Sequence, residues 1–106
     1  MLEVMATGEF MKFKVVIHPK VPKLAKKYLT KSQLQKLEEF FRTLENDPLP
    51  VDKYDVKPLK GKHSDIGKGK IYRFRIGDYR VFYTILWDER AVIITDIKRR
   101  EKAYRD

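Results

Sequence analysis

Apolar residues recur along the chain with two periods, and the change between them falls near residue 70. Phe13-Lys14-Val15-Val16-Ile17 is short, apolar and rich in β-branched side chains, which predicts a strand. Pro19 follows, suited to the first turn of a helix, and Val21, Leu24, Ala25, Tyr28 and Leu29 then share one helical face. Thr30 and Gln33 have capping-box spacing, so a second helix starts there. Leu34, Leu37, Phe40, Phe41 and Leu44 carry it on until Asp47-Pro48 ends it.

Three prolines and three glycines between residues 48 and 69 predict an irregular connection, holding a short strand near Tyr54–Val56. Beyond it the period becomes two. Lys70–Ile76, Tyr79–Trp87 and Ala91–Lys98 read as strands, joined by turns at Gly77-Asp78 and Asp88-Glu89-Arg90. Residues 99–106 form a basic tail, and no internal repeat interrupts the pattern. The expected architecture is α+β: a two-helix N-terminal hairpin packed on a small antiparallel sheet. Met1 to Phe10 read as an extension and 11–106 as a single domain.

Pairing arithmetic assigns the two faces of that sheet. With Gly77-Asp78 as a two-residue loop, Ile76 faces Tyr79 and Arg75 lies opposite Arg80, with Arg73 on the same face. A three-residue loop at 88–90 puts Lys98 opposite Arg80 on its other side and Asp96 opposite Phe82. Arg99 and Arg100 are then expected to emerge beside this group. Tyr72, Phe74, Ile76, Val81, Tyr83, Ile85, Ile93 and Ile97 fall on the other face, against the helices. Like charges set directly opposite each other cost a few tenths to about 1 kcal/mol each, so such a cluster points to an anionic ligand. The competing reading is a solvated face whose charges prevent aggregation, but that role favours lysine over arginine.

Charge balance agrees with this placement. The 106 residues carry 24 Lys+Arg against 15 Asp+Glu, a formal charge of +9, which suits a polyanionic partner. Residues 1–53 hold ten basic and seven acidic side chains, whereas 54–106 hold fourteen and eight, including seven of the eight arginines. The planar guanidinium suits phosphate better than an ammonium does. Zero cysteines exclude a disulfide scaffold, a thiolate zinc site and a cysteine nucleophile. No stretch approaches the roughly 18 apolar residues of a membrane span. Met1 to Phe10 lack a basic region followed by an apolar one, so no secretory signal and a cytoplasmic location are expected.

Other chemistries find little support. His18 and His63 sit in no metal-binding or base–nucleophile pattern, and the carboxylates are too scattered for a two-metal site. Neither a metal nor a cofactor is expected. Gly67-Lys68-Gly69-Lys70 lacks the ending of a phosphate loop and reads as a basic approach to the sheet. Trp87 is expected to pack against the core. Tyr104 lies outside the core alternation, where a phenol can stack on a base or pass a proton.

The stretch Ile71-Tyr72-Arg73-Phe74-Arg75-Ile76-Gly77-Asp78-Tyr79-Arg80-Val81-Phe82-Tyr83, with the ending Lys98-Arg99-Arg100-Glu101-Lys102-Ala103-Tyr104-Arg105, resembles the RelE family of type II toxins. The order of elements from Met11 to Arg105 fits that family as well. The resemblance implies ribosome-dependent, metal-independent cleavage of mRNA in the A site, restrained by a RelB-like antitoxin. It implies catalytic roles for Arg73, Arg75, Arg80, Arg99 or Arg100, and Tyr104, with Lys68, Lys70, Lys98 and Arg100 as further RNA contacts. Better-known members have lysines where this chain has Arg73 and Arg75. An arginine cannot serve as a base, so charge stabilisation is the role that carries over. A gyrase-directed toxin of the related ParE type, a degenerate toxin and a non-catalytic RNA-binding domain are the alternatives.

Overall fold

Local chemistry starts both helices. The computed structural model describes residues 12–63 and 69–100. Strand β1 (Lys14–Ile17) leads into helix α1 (Lys20–Tyr28), where His18 Nδ1 accepts a hydrogen bond from Lys20 N–H at 3.1 Å. This satisfies one of the donors that a helix start leaves open, which Pro19 has no side chain to accept. Helix α2 (Lys31–Leu44) has the full capping box: Thr30 Oγ1 accepts from Gln33 N–H and Gln33 Oε1 from Thr30 N–H. Strands β2 (Val56–His63), β3 (Lys70–Ile76), β4 (Tyr79–Leu86) and β5 (Ala91–Arg99) complete the chain.

The five strands form one sheet in the order β1-β5-β4-β3-β2. All pairs are antiparallel except β1 with β5, which run parallel. Val21 and Ala25 from α1, Leu29 at its C-terminal cap, and Leu37, Phe40 and Leu44 from α2 are buried against Phe74, Ile76, Val81, Tyr83, Ile85, Val92, Ile94 and Ile97. Phe40 lies at the centre, its ring stacked on Phe74 at 3.9 Å and edge-on to Tyr54 and Tyr83. Tyr83 donates its hydroxyl hydrogen to Pro48 O at 2.9 Å. Burial first, then the charges of Tyr72 and Asp47, raise its ionisation well above the ordinary tyrosine range.

Three expectations need correction. The connection contains a long strand, β2, rather than a short one near Tyr54–Val56, and its ladder with β3 shifts register between Pro58 and His63. Next, β5 carries a bulge: Phe82 pairs with Asp96 but Tyr83 pairs with Ile94, leaving Thr95 as the extra residue. Thr95 Oγ1 donates to Phe82 O at 3.2 Å, bonding a carbonyl beside the break. The bulge turns Ile94 and Val92 toward the helices and puts Ile93, expected in the core, on the opposite face. Finally, Leu86 pairs with Ala91, so the last turn spans residues 87–90 and Trp87 leaves the strand. Trp87 is 54% exposed and packs edge-on against Phe13.

Candidate nucleic-acid interface

The hairpin between β3 and β4 keeps the register its two-residue loop dictates. Ile76 pairs with Tyr79, Arg75 with Arg80, and Arg73 with Phe82. Gly77 has φ 59° at the first loop position, a conformation open to glycine and suited to the twist of paired strands. A Cβ there would also meet Gln33 Nε2 at 2.5 Å. The capping glutamine of α2 thus abuts the turn that sets the arginine register.

Across β4, Lys98 pairs with Arg80, as Arg75 does on the other side. Arg73, Arg75, Arg80 and Lys98 therefore share the face turned away from the helices. Arg80 is 1% exposed, with Nη1 donating to Tyr79 O at 3.0 Å and to Gly77 O at 3.4 Å. Arg73 is also buried, while the side chain of Arg75 is half exposed. The basic face thus holds two buried guanidinium groups, Arg80 and Arg73, beside the more accessible Arg75, rather than the evenly solvated charges of the competing reading. Arrangements of this kind stabilise developing negative charge without reorganising first.

The ends of the predicted site separate. Arg99 pairs with Tyr79 and its guanidinium lies 5.8 Å from that ring's centre, on the helix side, where Tyr79 stacks on Tyr28. It does not emerge beside Arg80. Arg100, exposed, follows the strand and donates its backbone N–H to Asp78 O at 2.7 Å, tying the chain to the hairpin turn. Lys70 is exposed at the far end of β3, and strand alternation puts it on the opposite face from Arg73. Lys68 and Tyr104 lie outside the described residues, as does the Met1–Phe10 extension.

Sequence reasoning missed Lys57 and Asp55. Lys57 pairs directly with Arg73, and Asp55 O accepts from Arg75 N–H at 3.0 Å. The Asp55 carboxylate reaches Arg73 Nη1 at 3.4 Å and Arg75 Nη1 at 4.0 Å. Both follow from the β3 register once β2 is extended through Pro58. Asp96, opposite Phe82 as expected, pairs with Lys20 at 3.4 Å. Among the described residues no three His, Cys, Asp or Glu side chains cluster as metal ligands, and no helix is long and apolar enough to cross a membrane.

Residues 22–104 match the family described as the ParE toxin of type II toxin-antitoxin systems, parDE. The chain is 48% identical over 96 residues to a Methanocaldococcus jannaschii protein named toxin RelE1, covering 91% of this chain and 99% of that one. The fold is similar to a chain in the archaeal RelE-RelB complex of Pyrococcus horikoshii, with TM-score 0.71 and 37% identity over 85% of this chain and 97% of the other. It is also similar to a chain in the toxin-antitoxin complex RelBE2 of Mycobacterium tuberculosis, with TM-score 0.60, 26% identity, and 84% and 99% coverage.

Proposed function

The chain belongs to the RelE/ParE family of toxins from type II toxin-antitoxin systems, and from that premise we propose that it inhibits translation by cutting mRNA on the ribosome. The observation that carries this reading is the pairing of Arg80 between Arg75 and Lys98, on the same face as Arg73. In the proposed reaction the RNA 2′-oxygen attacks the adjacent phosphorus in line with the departing 5′-oxygen. The 2′-hydroxyl gives up its proton, the P–O5′ bond breaks, and the 5′-oxygen takes a proton. A 2′,3′-cyclic phosphate and a 5′-hydroxyl result.

Arg75 and Arg73 are the groups positioned to hold the phosphate. Arg80, fixed by two backbone carbonyls, supplies positive potential for the charge that grows on the phosphorane. Arginine at these places moves no proton at neutral pH. Proton transfer therefore falls to other groups, with Tyr104 the side chain of this chain proposed for it. Arg100, carried on the hairpin turn, is the better candidate for the late arginine than Arg99, which lies over Tyr79. A RelB-like antitoxin is the proposed partner, since the P. horikoshii relative was solved with one.

The test is primer extension on mRNA from translating ribosomes incubated with the protein. Codon-phased cuts are expected. Arg75→Ala, truncating a half-exposed side chain, should slow cutting without unfolding the domain. Arg80→Ala should slow it by roughly 30- to 1,000-fold, about 2–4 kcal/mol of transition-state stabilisation. Unchanged cutting by both variants would sink the assignment. Intact mRNA together with a supercoiling defect would instead favour a gyrase-directed toxin.

A further inference from the structure

Asp55 is the acidic side chain that the described structure places against both Arg73 and Arg75. Its carboxylate offers one oxygen to each guanidinium, Oδ1 at 3.4 Å from Arg73 Nη1 and Oδ2 at 4.0 Å from Arg75 Nη1. The backbone bond from Arg75 N–H to Asp55 O, at 3.0 Å, fixes its position just ahead of β2. The pairings Lys57 with Arg73 and Arg75 with Arg80 set like charges opposite each other, and Asp55 sits where it offsets both. Asp96, a second carboxylate on this face, is engaged by Lys20.

Two guanidinium groups sharing the two oxygens of one anion is also how arginines hold a phosphate. The side chains of Asp55 and Arg75 are 42% and 50% exposed and that of Arg73 only 11%, so an incoming anion can reach Arg75 from solvent and gains Arg73 by taking the place of the Asp55 carboxylate. We propose that Asp55 is an internal counter-anion: it holds Arg73 and Arg75 in the empty site, and an RNA phosphate displaces it on binding. This rests on the reading of the face as an RNA-phosphate site. It adds that RNA affinity is held down by a competitor built into the fold.

The experiment is equilibrium binding of a short single-stranded RNA oligonucleotide to the intact chain, without ribosomes, across a salt series. Asp55→Asn should bind about two- to fivefold tighter at low salt, the worth of an exposed ion pair. Its log–log salt slope should steepen by roughly 0.7, the mark of one further phosphate contact on a single strand. Asp55→Glu, which keeps the charge, should return toward the parent protein. With Arg73→Ala and Arg75→Ala combined, adding Asp55→Asn should change nothing further. Equal or weaker binding by Asp55→Asn, while the arginine variants weaken binding, would overturn the counter-anion and leave the RNA site standing. RNA binding by the parent protein that responds neither to salt nor to the loss of both arginines would overturn both.

Discussion

The two faces of the sheet are written in the same strands, one residue out of phase, yet they are held by different physics. On the helix side, Phe74, Val81 and Tyr83 are fully buried and interlock with Phe40, so shape and volume decide what is tolerated. On the other side Arg73 and Arg80 are buried too, but beside the ring of Phe82 their neighbours include carbonyls, a carboxylate and other cations. Charge there is positioned by backbone register rather than by packing. Burial alone thus does not distinguish a core from a site; the identity of the neighbouring atoms does.

The sharpest way to break the contrast is to remove volume. Phe74→Ala takes away the ring stacked on Phe40 and should cost about 3–5 kcal/mol in denaturant unfolding, far more than any truncation of exposed Arg75. The bulge supplies the next test. Ile94→Ala, in the core, should cost about 2–4 kcal/mol, whereas Ile93→Ala, on the other face and half-buried, should cost under about 1.5 kcal/mol. Equal losses would mean that β5 runs without its bulge.

Tyr83→Phe should have the smallest effect, about 1 kcal/mol at neutral pH, from loss of the hydrogen bond to Pro48. Its mark is the alkaline limb. Burial raises the folded-state pKa of Tyr83, so the unfolded chain binds fewer protons once pH passes its ordinary value near 10. The contribution is complete below that pH and is lost as pH rises toward the folded value. Stability of the parent protein should therefore fall more steeply above about pH 10 than that of Tyr83→Phe, measured by urea unfolding at successive pH values.

What could be read from the sequence was what short-range chemistry decides. Thr30 and Gln33 form a capping box within four residues, and Gly77-Asp78 fixes the pairing of Arg75 with Arg80 through loop length alone. The bulge was hidden because Ala91-Val92-Ile93-Ile94 is apolar at every position, leaving no alternation to reveal its phase. The parallel partner of β1 depends on a contact across most of the chain, and no turn specifies it. The pairing of Asp55 with the arginines escaped because two prolines and several lysines disguised β2, so its register against β3 was not drawn. The burial of Arg80 likewise has no signal in period or composition.

The parallel edge also bears on how the chain acquires its shape. β5 follows every other strand in sequence, yet it lies inside the sheet, between β1 and β4. Until it is in place, β1 has no strand to pair with, and α1 and α2 have only part of their surface to cover. The β3–β4 hairpin forms from neighbours, but joining the first strand to the last requires closing a loop of more than 70 residues. Such closure is slow relative to local pairing. The cationic face does not wait for that closure: Lys98 comes beside Arg80 through the β4–β5 hairpin, whose turn spans only residues 87–90, so local pairing assembles the charges before the sheet closes on β1.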